Sequence, residues 1–147
     1  MKKYFTLIII FFAFSSFLVA QTTITSIIAN DSDDAEQLVS DGDMELTSSD
    51  LEIVKDPDFR GGSGVQLIGL RFTNISIPVN ATVTNAFITF RAVNSDGSNP
   101  SNNSNVSLRI RGHDVANSSS FSSADFNISS RSATTAAAAW TPSSWSS

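Results

Sequence analysis

From residue 21 onward, apolar side chains recur at every second position rather than every third or fourth. That spacing belongs to half-buried strands, not to helices. Thr23 to Ile28 opens the pattern with a β-rich run, and Leu51 to Val54 repeats it briefly. Val65 to Phe72 predicts a central strand, with Ile68, Leu70 and Phe72 on one face. Ile75, Ile77 and Pro78 lead the chain out, and Asn80-Ala81-Thr82 turns it back. Ala86, Ile88, Phe90 and Ala92 then share one face, with Phe87, Thr89 and Arg91 on the other. After the polar loop Asn94 to Asn105, Val106, Leu108 and Ile110 point inward while Ser107, Arg109 and Arg111 point outward. Asp56-Pro57-Asp58 and Gly61 to Gly64 read as turns.

Helix evidence is thin. Residues 122 to 126 could close one turn. Ala136 to Ala139 has high helix propensity but is too short to hold a helix alone, so it predicts the start of a strand that runs into Trp140. The expected fold is an all-β, antiparallel two-sheet β-sandwich, jelly-roll-like, covering residues 21–147. Six or seven strands fall short of the seven to nine that such a sandwich commonly holds. The count predicts a module that lacks its last strands.

The first twenty residues break the pattern. Lys2 and Lys3 precede an apolar run from Tyr4 to Val19, and Ala20 supplies a small residue before Gln21. This predicts a signal peptide over 1–20, cleaved after Ala20. The run is shorter than the roughly 20 residues needed to span a bilayer and is broken by Ser15 and Ser16. No stable membrane span is expected after its removal, and the expected location is secreted or at the cell surface. The chain has no cysteine, which excludes thiol catalysis and thiolate metal sites and suits a bacterial export product.

Charge narrows the partners. Without the first twenty residues, seven basic side chains face fourteen acidic ones. An acidic surface repels phosphate backbones, so nucleic acid is not an expected partner. Eleven of the fourteen acids lie between residues 31 and 58, so the charge is blocked rather than scattered.

Five segments then carry a resemblance: Asp33-Asp34-Ala35-Glu36, Ser48 to Glu52, Ile68 to Phe72, Ile77-Pro78 and Ala81 to Phe90. Together with Ser129-Ser130-Arg131, Thr134, Trp140 and Trp145, they resemble exported bacterial β-sandwich accessory modules with a DDAEE, SSDLEL, GLRF signature. The proline-ended strand followed by an alternating one is more loosely similar to DNRLRE-type carbohydrate-binding modules. The resemblance implies a jelly-roll-like sandwich, a non-catalytic role and a place in a larger multidomain protein. Asn80 departs from it by standing where the family has Gly.

The residues themselves offer three candidate chemistries. Asp33, Asp34 and Glu36 are candidate ligands for a structural calcium ion, because clustered carboxylates need something to offset their repulsion and calcium takes oxygen ligands. The spacing is not that of an EF-hand, and a solvated acidic loop is the plain alternative. Polysaccharide stacking needs exposed aromatic faces. Trp140 and Trp145 are the candidates, with Phe87, whose face it shares with polar residues. Arg91, Arg109 and Arg111 are candidates for clasping acidic sugars, with pairing to the acidic block as the alternative. His113 beside Asp114 is the start of a base–orienter pair, but no nucleophile elbow accompanies it, and the expected reading is a surface histidine at a strand end. Two functions follow: a non-catalytic secreted module that binds polysaccharide, or a structural or adhesive spacer of a larger surface protein. No enzyme is expected.

Overall fold

The structure, a computed structural model, describes residues 21–56, 59, 64–91 and 106–143. Within them the chain is all-β and antiparallel, with six strands in two sheets and no helix. The strands are β1 (Asp34–Leu38), β2 (Met44–Glu45), β3 (Lys55–Asp56), β4 (Gly64–Leu70), β5 (Leu108–Ile110) and β6 (Ala138–Trp140). One sheet has the order β2-β1-β4-β3, and the other pairs β5 with β6. No helix among the described residues is long and apolar enough to cross a membrane. The expected signal peptide over 1–20, the turns at 57–58 and 61–63, the loop at 94–105 and Trp145 lie outside the described residues.

The central strand predicted at Val65 to Phe72 is β4, which pairs with β1 from Asp34↔Leu70 to Leu38↔Gln66. Its partner corrects the sequence reading. Asp34 to Leu38 is not an acidic loop but the other central strand, with every residue from Ala35 to Leu38 buried. Its two buried polar side chains, Glu36 and Gln37, are tolerated because each finds a partner. Gln37, only 1% exposed, accepts hydrogen bonds from the Ile128 and Ser129 backbone N–H groups at 2.9 Å and donates to Ser129 Oγ at 2.9 Å. Glu36, also 1% exposed, accepts one from the Glu52 N–H at 2.8 Å. A buried polar group with its bonds made costs little, whereas one without them costs about 1–3 kcal/mol.

Other boundaries also move. Thr23 to Ile28 forms no strand, and the short strand expected at 51–54 lies instead at Lys55–Asp56. A loop between β1 and β2 turns on Gly42, whose φ of 86° suits glycine, with its N–H bonded to Leu38 O at 3.0 Å. The predicted turn at Asn80 is present. Ala81 N–H bonds to Pro78 O at 3.0 Å, and Asn80 takes a φ of 66°. That turn position wants a left-handed backbone, which Gly supplies most readily and Asn next best. The small-residue strand before Trp140 is β6.

The core lies on the face of the larger sheet that carries Ala35, Gln37, Met44 and Gly69. Ala35, Met44 and Phe121 form its buried cluster, with Leu46 and Ile128 packed against them. Phe121 and Ile128 come from a long turn, residues 118–131, that lies across the strands. Phe121 N–H bonds to Ser32 O at 2.8 Å, and Phe126 N–H bonds to Gly42 O at 2.8 Å. Arg131 closes this turn. Its guanidinium sits 4.3 Å from the centre of the Phe121 ring and donates to Ser119 O, Ser120 O, Ser118 Oγ, Asn127 O and Asn127 Oδ1 at 2.8–2.9 Å.

Two outcomes test this packing. A Cβ at Gly69 would stand 2.5 Å from Phe121 Cζ and 3.1 Å from Ile128 Cδ1, whereas one at Gly112 would meet nothing closer than Thr134 Cγ2 at 3.4 Å. Gly69→Ala should destabilise by about 1–3 kcal/mol in denaturant unfolding, and Gly112→Ala should change stability little. Arg131→Lys keeps the charge but loses the planar fork, and should cost about 2 kcal/mol in the same assay.

Candidate functional site

An apolar groove of about 320 Å³ opens beside the smaller sheet, lined by Ala86, Phe87, Ile88, Phe90, Ile110, Ala138 and Trp140. Its placement follows from strand geometry. In β5 and β6, Ile110 pairs with Ala138 and Leu108 with Trp140, so these four side chains share one face. Arg109 pairs with Ala139 on the opposite face. The segment 82–90 runs by this sheet without joining it as a strand. Its anchor is Phe90, whose ring lies parallel to that of Trp140, with centroids 5.2 Å apart and planes 11° off parallel. Offset-stacked aromatic pairs are favourable by about 0.5–1.5 kcal/mol beyond their burial. Phe87 projects outward at the groove's rim, 86% exposed.

Two predicted ligand-binding residues, Trp140 and Phe87, therefore meet in one groove. The arginines do not join them. Arg91, Arg109 and Arg111 are all exposed, and none lines the groove. Trp145 lies outside the described residues. Phe90 and Ile110 were assigned to the core by their alternation but line the groove. The signal for this was available: a strand with few partners leaves its inward face open.

A second recess, mainly polar, lies beside Arg71 and is lined from Phe72 to Ile75 and from Ala116 to Ser118. Here a polar network ties the turn to the large sheet. Arg71 forms an ion pair with buried Asp33 and donates from Nε to Ser118 O at 2.8 Å. Ser118 Oγ also accepts from Arg131 and lies 3.0 Å from His113 Nδ1. His113 is thus half-buried and structural rather than a free surface group, and the neighbouring Asp114 is exposed with its N–H on Ser132 O at 2.7 Å.

The acidic residues expected to hold calcium each have a different setting. Asp33 is engaged by Arg71 and by the Asn30 amide at 3.1 Å. Asp34 is half-buried on β1, and Glu36 is buried beside the Glu52 N–H. Strand alternation sends Asp34 and Glu36 to the face opposite Ala35. Among the described residues no three acidic or histidine side chains converge on a point where a metal could sit. Asp33 thus stands apart from Asp34 and Glu36 instead of joining them in one ligand group.

The guanidinium of Arg71, then the Asn30 amide, hold the Asp33 carboxyl below its ordinary value of 3.8. Burial pushes the Asp34 carboxyl up instead. Burial, and then the charge of Arg71, push Arg131 down. A lowered carboxyl stabilises the fold above its unfolded value and stops doing so as pH falls through the lowered folded value. Asp34 has the reverse sign: its ionised form costs stability at neutral pH, and acid relieves that cost.

No family model matches the chain, and neither a curated protein nor a solved structure matches it.

One outcome follows from the Asp33–Arg71 pair. Asp33→Asn should melt at lower temperature than the unaltered chain at pH 7, and the gap should narrow steadily below about pH 4. Thermal melts at a series of pH values would show it. A gap that stays constant into acid would mean the pair contributes nothing.

Proposed function

We propose that this chain is a non-catalytic accessory module of a larger exported protein and that it binds polysaccharide in the groove beside Trp140. The observation that supports this reading is the Phe90–Trp140 stack, open to an apolar recess with an exposed Phe87 at its rim. Sugar rings carry a face of C–H groups that packs against aromatic carbon, while their hydroxyls stay in water. A shallow, carbon-lined groove offers that face. The predicted leader over residues 1–20 supports export, and the acidic, cysteine-free composition fits an extracellular setting.

Arginine positions argue against a clasp for acidic sugars within the groove. Arg109 lies on the opposite face of β5, so recognition here rests on stacking rather than charge. The groove should therefore take a neutral chain of hexoses in preference to a uronate or a sulfated one. Binding should also change little with salt, because screening weakens charge pairs far more than apolar contact.

The test is retention on a panel of insoluble, neutral and acidic polysaccharides. Trp140→Ala should weaken retention at least tenfold, about the loss expected for one stacking contact. Phe87→Ala should weaken it less and leave the melting temperature unchanged, since that ring is almost wholly exposed. No retention of the unaltered chain on any polysaccharide would reject the reading.

A further inference from the structure

Residues 83–90 have the composition of a strand but pair with no strand among the described residues. Val83, Thr84, Phe87, Ile88, Thr89 and Phe90 are β-branched or aromatic, which favours extended pairing. The chain is nonetheless unassigned to either sheet over this stretch. Its apolar side chains are left in water: Val83 is 59% exposed, and Val79 just before it is 90% exposed. Among the described residues the neighbouring sheet has two strands, β5 and β6, and two strands alone are marginal in water.

Charge indicates what covers this segment. From Phe72 to Phe90 there is no charged residue, although the whole chain carries a net charge of −5. Exposed edges in monomeric proteins are normally blunted with charged side chains that forbid pairing, and this one has none between Pro78 and Arg91. Two copies of an acidic protein repel over most of their surfaces. They can approach without repulsion along a neutral stretch such as this one. We propose that residues 83–90 pair antiparallel with residues 83–90 of a second copy about a two-fold axis.

The pattern suits that symmetry. Centred on Ala86, the pairing sets Val83 opposite Thr89 and Thr84 opposite Ile88, so even positions meet even ones and Ala86, Ile88 and Phe90 of both copies share a face. No like charges then stand opposite one another. The contact uses the same surface twice and so closes at two copies instead of growing. It goes beyond sugar binding and uses Val83 and Thr84, which do not line the groove.

Sedimentation of the purified chain over a range of concentrations tests the pairing. A reversible dimer is expected, and Val83→Lys, which places like charges along the join, should weaken it at least tenfold. Amide hydrogen exchange of the unaltered chain gives a second reading that needs no variant. Exchange across 83–90 should slow as concentration rises. A monomer at every concentration, slow exchange independent of concentration, or growth beyond two copies would each overturn the proposal. Polysaccharide retention by Val83→Lys should persist, which separates this outcome from that of the groove.

Discussion

The large sheet depends on a turn that carries its own cation. Residues 118–131 could lie across β1 and β4 in many ways, and a segment half made of serine supplies little apolar area to choose among them. Arg131 makes the choice. Its five donors meet two serine carbonyls, a serine hydroxyl and both acceptors of Asn127, and its flat face covers Phe121. A planar guanidinium can satisfy that set at once, and an ammonium cannot. With the turn closed, Phe121 is held against Gly69 and the core cluster forms. Burial then lowers the pKa of Arg131, though a guanidinium stays charged even so.

Much of the second layer is therefore polar. Gln37 reaches from the middle of β1 to the backbone of residues 128 and 129, and Asp33 holds Arg71, which in turn bonds to Ser118 O. These bonds connect the strand, the turn and the ion pair into one network. Such networks specify a single arrangement because each member is costly when left unpaired. A chain with few large aliphatic core residues gains uniqueness here through directed bonds more than through packed volume. The absence of cysteine is consistent with that, since the geometric constraint a disulfide would impose comes from the network.

The two-residue alternation made part of this legible. β4 and β5 fall where apolar positions recur at every second residue, β6 falls where the small-residue run leads into Trp140, and the turn expected at Asn80 is present. β1 was hidden because its buried residues include Glu36 and Gln37, on opposite faces, which pattern reading assigns to solvent. Burial of such residues depends on partners more than ninety positions away in the case of Gln37, and local spacing carries no trace of them. Ala86 to Phe90 failed in the opposite way. Its pattern is that of a good strand, but a strand also requires a neighbour with free backbone groups, and composition cannot supply one. The groove followed suit: Trp140 and Phe87 were identifiable as aromatic candidates, whereas Phe90 was read as core because its face looked inward.

The molecule thus divides by how its polar and apolar demands are met. Around β1 and β4, Gln37 and Arg71 bond to a turn from the same chain, while the Gln66 side chain is buried with no hydrogen-bond partner among the described residues. Around β5 and β6, apolar side chains remain in water and the segment beside them joins no strand among the described residues. An exposed apolar surface gains free energy when something covers it, by roughly 25 cal/mol for each Å² removed from water. Sugar rings can cover the groove face, and a strand can cover the edge. The two do not compete for the same atoms: stacking uses ring faces, and strand pairing uses backbone N–H and C=O groups. A single uncharged segment can serve both because Phe90, pinned by Trp140, holds its ring toward the groove while the chain from Val83 onward joins neither sheet among the described residues.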